Sequence, residues 1–597
     1  MPARYGPRDG CHAPGGPRLP SVTGADLASC PVQTIADRRT RDRVRRRAAI
    51  GIALMGLLDL ATGVIPPQHD RLHVLRGWVP LTVPRASHVA ITAAGVALVL
   101  LGGGVRRGHR RAWALATALL VLSAILHVAK GLDVEEAVVA LGMAGYLVAK
   151  RASFPAASCP QKTRVGLLTI VAGAASATLA GGFAVWADPR HHPRAGWGQA
   201  LAASGERLAG ITTIAVRGRV DFFLTPALAT VGISLAGVAV WLAFRPIVQR
   251  IPSGSHVDPR VRAIVATHGS GTLDFFALRD DKQHFCSEPS LVAYSLQGGT
   301  CLVSPDPIGP VEDRARIWAE FRAFTERNGW PVAVLGVSEE WAELYEADGM
   351  SSLYVGDEAV VDVATFTIDG GKMKGLRHAV NRAETAGYTF ELRDPSCLEP
   401  ELEASLRRVL TESRRGGVER GYAMTLGRVF DPEDRGLLLG IAFEPNGEPA
   451  AFCQFVPSPG IQGWSLDLMR RSDRPHPNSI SDFVVVSTIL AIQPWGAQGL
   501  ALNFATLRAV LAGEAEPTLS NRLQAAVARQ LSSSMQIESL WKHNAKYRPR
   551  WQPRYAVYDG TQNLVPSALA VARAESFWEL PVIGRFLQPT EVDTVPS

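Results

Sequence analysis

The sequence predicts two regions of different fold class: a multispan α-helical membrane domain, followed by an α/β cytosolic domain. Three observations predict this. The long apolar runs lie before residue 246. After the linker "RIPSGSHVDP" (250–259) the pattern changes to short apolar strands alternating with helices. Basic residues gather in the loops that six crossings would put on one side of a bilayer. At 597 residues the chain is also too long for one ordinary domain.

Residues 1–47 hold ten Arg against four Asp, which is +6 of the net charge of +7. They mix Pro, Gly and Arg without an apolar period and are expected as a disordered basic tail. The domain 48–249 is expected to hold about six helices of about 20 apolar residues each. They fall near 48–65, 87–104, 112–129, 133–149, 164–187 and 223–244, the fourth weakened by Glu135 and Glu136. The basic stretches "DRRTRDRVRRR" (37–47), "RRGHRR" (106–111) and the 150–164 loop orient the bundle. The N-terminus and residues 250–597 are then cytoplasmic, in a multi-pass protein of the cell membrane. The five Arg of the 188–222 loop dissent from this rule. Asp59 in the first span and His127 in the third are functional candidates by position, or partners of neighbouring helices.

The seven cysteines contain no C-x-x-C, and His284 with Cys286 makes an isolated H-x-C. Neither a zinc site nor a disulfide framework is expected, and a reducing compartment fits. No metal and no cofactor is read from the sequence.

The α/β part gives its elements in order. "LVAYSLQGGTCLVSPDPIG" (291–309) reads as a hairpin and "RARIWAEFRAFTERNGW" (314–330) as a helix. "PVAVLGV" (331–337) is a strand and "SEEWAELYEADG" (338–349) a helix. "LLLGIAFEPNGEPAAFCQFVP" (437–457) is a hairpin turning at Asn446-Gly447. "WSLDLMR" (464–470) follows as a strand, 479–499 as a helix capped by Ser479 or Ser481, and "LALNFATL" (500–507) as a strand. A helix at 520–531 and a closing strand at 553–559 complete the series. This order is that of a GNAT-type acyltransferase core, with 250–395 a rougher first copy of 396–560: tandem GNAT-like folds, then a C-terminal helix and tail over 561–597. The Gly-rich "RRGGVERG" (414–421) follows a helix instead of joining a strand to one, which makes it a poor cradle for a coenzyme pyrophosphate.

Seven motifs carry a resemblance over most of 265–560: "SPDPIGP" (304–310), "KGLRHAVNRAETAGY" (374–388), "RGGVERGYAMTLGR" (415–428), "SLDLMR" (465–470), "SDFVVV" (481–486), "LNFATL" (502–507) and "KYRPRWQPRY" (546–555). In this order they resemble the bacterial phosphatidylglycerol lysyltransferases, or multiple peptide resistance factors, in the actinobacterial branch. Some members there carry a fused lysyl-tRNA synthetase. With none before Ser597, the expectation is tRNA charged by another protein. The resemblance implies transfer of an aminoacyl group, lysyl first, from aminoacyl-tRNA to phosphatidylglycerol in the membrane. It also implies flipping of the product and resistance to cationic peptides. A homo-oligomer is left open. The rival readings are a tRNA-dependent transferase acting on peptidoglycan precursors, and a lipid flippase with a non-catalytic cytosolic domain.

The same resemblance suggests the site. Asp467 would hold the incoming ammonium or orient the nucleophile, and Arg470 a phosphate. Their i, i+3 spacing puts them on opposite faces of a strand unless a bulge intervenes. Lys546 would bind phosphate or assist the oxyanion, although Asn544, His543 and Tyr547 depart from the family's F-K-x-K-F. Arg554 and Trp551 sit in the P-x-W-x-P-R-Y motif, with Arg554 either a lipid-phosphate ligand or a buried bridge. Arg377 and Arg382 lie on one helix as candidate RNA contacts. Asp482, Asn503 and Lys542 complete the substrate-binding set. The stretch Leu540–Tyr558 interleaves these cations with aromatic rings, as an anionic partner would require.

Overall fold

The computed structural model describes residues 35–64, 82–131, 134–156, 160–187, 196–208, scattered positions between 211 and 237, 257–414, 421–477, 479–506, 537–560 and 563–575. The tail before residue 35, the second part of the sixth expected span from 238 on, the Gly-rich turn at 415–420, the helix expected at 520–531 and residues 576–597 lie outside them.

The N-terminal region is helical: α1 (Ile35–Val64), α2 (Thr82–Arg106), α3 (Arg110–Gly131), α4 (Val134–Ala149), α5 (Pro160–Trp186) and α6 (Trp197–Leu208). The tail expected as disordered to residue 47 is thus helical from Ile35. The cause is tertiary: Arg38 pairs with Asp348, and Arg45 with Glu326 at 2.9 Å, so the basic turns dock on the α/β region. By length and composition one helix among the described residues, α3 over Arg110–Val128, can cross a membrane. The 16 residues of α4 span about 24 Å against a hydrocarbon core of about 30 Å.

Ile52, Leu98, Leu101, Leu120, Ala140 and Leu147 form the core of the first four helices. Leu54, Leu57, Leu115, Ile125, Val138 and Val139 point outward and are exposed. Helices α1 and α2 touch at Gly56 and Gly95, where a Cβ on either would lie 2.7 Å from the other's carbonyl oxygen. Inside the bundle Asp59 is fully buried. It accepts from Ser123 Oγ at 3.0 and 2.9 Å and bonds His127 Nε2 at 3.0 Å. The acid in the first helix therefore has partners on α3.

The α/β region opens with α7 (Pro259–His268), capped by Asp258, whose carboxylate accepts from Arg260 N at 2.9 Å. It continues with β1 (Gln283–Ser287), β2 (Ser290–Gln297), β3 (Thr300–Val303), α8 (Arg314–Asn328), β4 (Val332–Val337), α9 (Glu339–Ala347) and β5 (Ser351–Asp362). Next come α10 (Lys374–Thr385), β6 (Thr389–Arg393), α11 (Pro400–Arg414), β7 (Leu438–Phe443), β8 (Pro449–Ser458) and β9 (Gly463–Arg471). The last elements are α12 (Ile480–Ile492), β10 (Gly499–Thr506), α13 (Ile537–Ala545), β11 (Arg550–Tyr558) and α14 (Leu564–Ala574). Ser479 takes the cap position of α12 in a left-handed conformation (φ 72°) but makes no side-chain capping bond. The negative charge of Asp482 in the first turn complements the helix dipole there.

Among the described residues all strands join one eleven-stranded sheet in the order β1-β2-β3-β4-β11-β5-β10-β9-β8-β7-β6. In one half β3 and β4 run parallel across α8, and in the other β9 and β10 run parallel across α12. Read from one edge, β2, β3 and β4 are followed by β11; from the other, β8, β9 and β10 are followed by β5. Each half therefore receives the final strand of the other. One face of the second half packs on α10 and α12 through Val380, Phe483, Val485 and Ile489. The opposite face packs on α11 through Leu406, Val409, Phe452 and Leu468.

Candidate functional site

Strands β9 and β10 pair at Trp464–Leu500 and Ser465–Ala501 and then part. Beyond that point β10 also loses register with β5, between Ala501 and Phe504. The freed carbonyl of Leu502 accepts instead from Asn544 Nδ2 of α13, at 3.1 Å. The departure of Asn544 from the family pattern thus has a structural use: it closes the strand that β9 leaves.

Beside this opening Asp482, buried at 3% exposure, gathers three donors. Tyr547 Oη donates at 2.7 Å and Lys546 Nζ at 2.9 Å, and His543 Nδ1 lies 3.5 Å away. The Lys546 side chain is half exposed while its carboxylate partner is inside. Burial pushes the His543 pKa down, with Lys546 adding to that effect and Asp482 opposing it. Burial and the Asp482 charge push the Tyr547 phenol well above its ordinary range. The cluster is thus a fixed carboxylate, a neutral phenol and one ammonium that reaches solvent.

Asp467 lies on the other side of the sheet. Phe455 faces Leu466 and Gln454 faces Leu468, so Asp467 is the extra residue of a β-bulge. Leu466 and Met469 pack toward α12, whereas Leu468, and Phe452 opposite Arg470, pack toward α11. The bulge brings Asp467 onto the face of Arg470, the condition that their spacing demanded. Asp467, 1% exposed, accepts from Leu426 N at 2.8 Å and from Gln454 Nε2 at 2.7 Å. Both oxygens engage donors of the chain itself, so the carboxylate fixes the segment that follows Gly421. Other ties hold that segment: Arg279 to Thr425 Oγ1 (2.8 Å), Arg428 to Asp280 (2.6 Å) and Asp434 (2.8 Å), and Glu575 to Tyr422 N (3.1 Å).

The structure therefore joins Lys546 to Asp482, and puts Asp467 and Arg470 on the other face of β9. The other candidates lie elsewhere or play local parts. Arg554 is buried and bridges β11 to β5: it donates to Glu358 from Nε at 3.0 Å and to Thr272 Oγ1 at 2.6 Å. Arg377 donates to the carbonyls of Ile368 (2.7 Å) and Gly370 (3.0 Å) before its own helix. Arg382 and Lys542 are exposed, and Trp551 packs against the α12 core. Asn503 is on β10, but its side chain lies outside the described residues. Tyr547, His543 and Gln454 were not singled out as ligands in the sequence. For Tyr547 and His543 the signal was their departure from the family pattern around Lys546; Gln454 gave none.

The matching place in the first half, where β3 ends and β4 continues, opens on a cavity of about 470 Å³ reached by Asp274, Asp306, Arg314 and Arg554. Burial pushes Asp306 up to about 6, although Ser338 and Tyr345 donate to it. A second cavity, about 640 Å³, runs from Tyr547 and Arg548 to the 365–373 loop.

Two like halves, each with a parallel strand pair that ends or parts beside polar side chains, make this an α/β protein with the tandem element order expected of GNAT-like folds. Residues 262–558 match the family described as phosphatidylglycerol lysyltransferase, C-terminal, and through them the chain belongs to that family. It is similar to the lysylphosphatidylglycerol biosynthesis bifunctional protein LysX of Rhodococcus opacus, 29% identical over 561 residues, covering 90% of this chain and 49% of that protein. The protein of the same name from Gordonia bronchialis is 30% identical, with 92% and 52% covered. The chain spans about half the length of these curated relatives. The solved structure of L-PGS from Bacillus licheniformis is 27% identical, with a TM-score of 0.48, covering 54% of this chain and 98% of that one.

Proposed function

We propose that the chain moves an aminoacyl group, lysyl in the first instance, from aminoacyl-tRNA to the glycerol hydroxyl of phosphatidylglycerol. One observation carries the proposal: the family match over 262–558 spans the sheet from β1 to β11. The parted strands and the Asp482–Lys546 cluster lie inside that match.

The chemistry needs position and charge. The lipid hydroxyl oxygen bonds to the ester carbonyl carbon, the bond to the tRNA ribose oxygen breaks, and the hydroxyl proton ends on that ribose oxygen. The ester is already activated, so holding both reactants in one gap supplies much of the rate. Lys546, fixed by Asp482, donates to the oxyanion that forms on the carbonyl. Arg470 holds a substrate phosphate on the other side. Asp467 is a positioning residue, acting through the segment after Gly421.

In this reading α1–α5 and the sixth expected span near 223–244 form a multi-pass bundle that keeps the sheet at the cytosolic surface, and the bundle moves the product outward. Lipids so modified replace negative surface charge with positive and weaken the binding of cationic peptides. The test supplies the purified full chain with phosphatidylglycerol vesicles and tRNA charged with labelled lysine. Labelled lipid is expected, with Lys546→Ala slower by about 10²–10³. No aminoacyl lipid from either lysyl- or alanyl-tRNA would end the proposal.

A further inference from the structure

The helical region and the sheet meet around a cavity of about 230 Å³. Six arginines line it: Arg38, Arg45 and Arg46 of α1, Arg106 and Arg107 where α2 ends, and Arg322 of α8. Three carboxylates oppose them, Asp42, Glu326 and Asp559. All three are engaged, Asp42 by Arg45 at 3.7 Å, Glu326 by Arg45 at 2.9 Å and Asp559 by Arg322 at 2.6 Å, while Arg38 pairs with Asp348. Positive charge is left in excess. Burial first, and then the adjacent Arg106, push the Arg107 pKa down.

The walls are fixed. Gly108 (φ 78°) lies so close to Arg45 that a Cβ there would stand 2.8 Å from the guanidinium carbon. A Cβ on Gly329 (φ 67°) would stand 2.9 Å from the Arg107 carbonyl oxygen. The backbone leaves the Arg45 guanidinium little room to withdraw.

Directly above the arginines the surface turns apolar. Ile50, Leu54 and Leu57 of α1 and Leu100 of α2 are exposed. Ile50 is about 6 Å along the helix from Arg46, and Leu100 about 9 Å from Arg106. A cationic pocket beneath an exposed apolar wall matches a molecule with an anionic head and hydrocarbon chains. A volume of this size holds a phosphate group with a few atoms around it, but not a nucleic-acid strand.

We infer that this cavity binds the phosphate of an anionic phospholipid, at a site separate from the β9–β10 opening. The inference needs the helical region to lie in a membrane; it does not need the transfer reaction. Bound there, the headgroup would join α1 and α2 to α8 through one shared anion.

The test uses the full chain in neutral detergent with three probes. Dihexanoyl phosphatidic acid has the phosphate but no glycerol hydroxyl to acylate, so it reports this site independently of transfer. Dihexanoyl phosphatidylcholine and inorganic phosphate are the comparisons. Phosphatidic acid is expected to bind and raise Tm. The double substitution R46A/R107A should weaken that binding about tenfold or more, since two charge-assisted hydrogen bonds are lost, without lowering the ligand-free Tm. R46K/R107K should recover most of the affinity. Equal affinity of the wild type and R46A/R107A, or phosphatidylcholine binding as tightly as phosphatidic acid, overturns the inference. Inorganic phosphate matching phosphatidic acid overturns the lipid assignment and leaves a free-anion site. If R46A/R107A melts early, a photoactivatable phosphatidic acid decides. Crosslinks to 45–57 and 100–107 support the site, and crosslinks confined elsewhere sink it.

Discussion

Asp467 and Lys282 make opposite demands on their surroundings. Asp467 has a donor on each oxygen, and Gln454 Oε1 beside it has no hydrogen-bond partner. In Asp467→Asn the Gln454 amide can turn over and keep the pair, because its oxygen then faces the new NH₂. Asp467→Asn is therefore expected to keep its Tm and most of its transfer rate. Asp467→Ala strands a backbone N–H and a side-chain amide, and should cost about 2–4 kcal/mol by denaturant melts. Loss of activity in a normally folded Asp467→Asn would return this carboxylate to the chemistry. Lys282 is buried, donates to the Phe276 carbonyl at 2.9 Å and lies 4.7 Å from the Tyr422 ring. Burial lowers its pKa from 10.5 to about 7. Between those two values the unfolded chain holds a proton that the folded chain has released. Stability from this group then rises with pH from about 7 upward, and its burial penalty is full below 7. Lys282→Met should flatten that rise and stabilise the protein most at low pH, as followed by urea midpoints across pH. Motifs made Asp482 and Lys546 legible in the sequence. Their contact was not, because 64 positions separate them and no local period links a helix start to a strand entry.

Among elements, β5 shows why a central strand can go unread. The hairpins at 290–303 and 438–458 announce themselves by Gly298-Gly299 and Asn446-Gly447, with Gly447 at φ 84°. β5 instead carries buried Asp357 and Glu358 in the middle of the sheet. Charge of that kind argues against a strand until its partner is known, and the partner is Arg554 on the neighbouring β11. Removing one member leaves the other buried alone. Arg554→Ala should cost about 3–5 kcal/mol, and Arg554→Met with Glu358→Leu should regain most of it. Transfer retained by the double variant would make the pair structural; transfer lost with a normal Tm would make Arg554 a phosphate ligand. The β9 bulge was legible only as a requirement. The i, i+3 spacing asked for it, and nothing in the letters said where the extra residue would sit.

For the molecule as a whole, the two regions were legible from the step in hydropathy near residue 246, but their junction was not. A basic stretch reads as tail until its acidic partners, Asp348 and Glu326, arrive about 280–310 positions later. Reversing one of those charges tests the docking. Glu326→Lys, facing Arg45 and Arg41, should raise amide exchange in the first three turns of α1 while leaving β7–β9 protected. The tandem order was readable because each half repeats hairpin, helix, strand. The exchange of final strands was not, since exchanged and unexchanged pairings use the same elements in the same sequence. That exchange governs how the protein can be born. When β4 and β5 leave the ribosome, the strand that must lie between them has yet to be translated. At about 5–20 residues per second, roughly 10–40 s pass before β11 emerges. For that interval the facing edges of β4 and β5 lack their partner strand, and the nascent first half is open to mispairing.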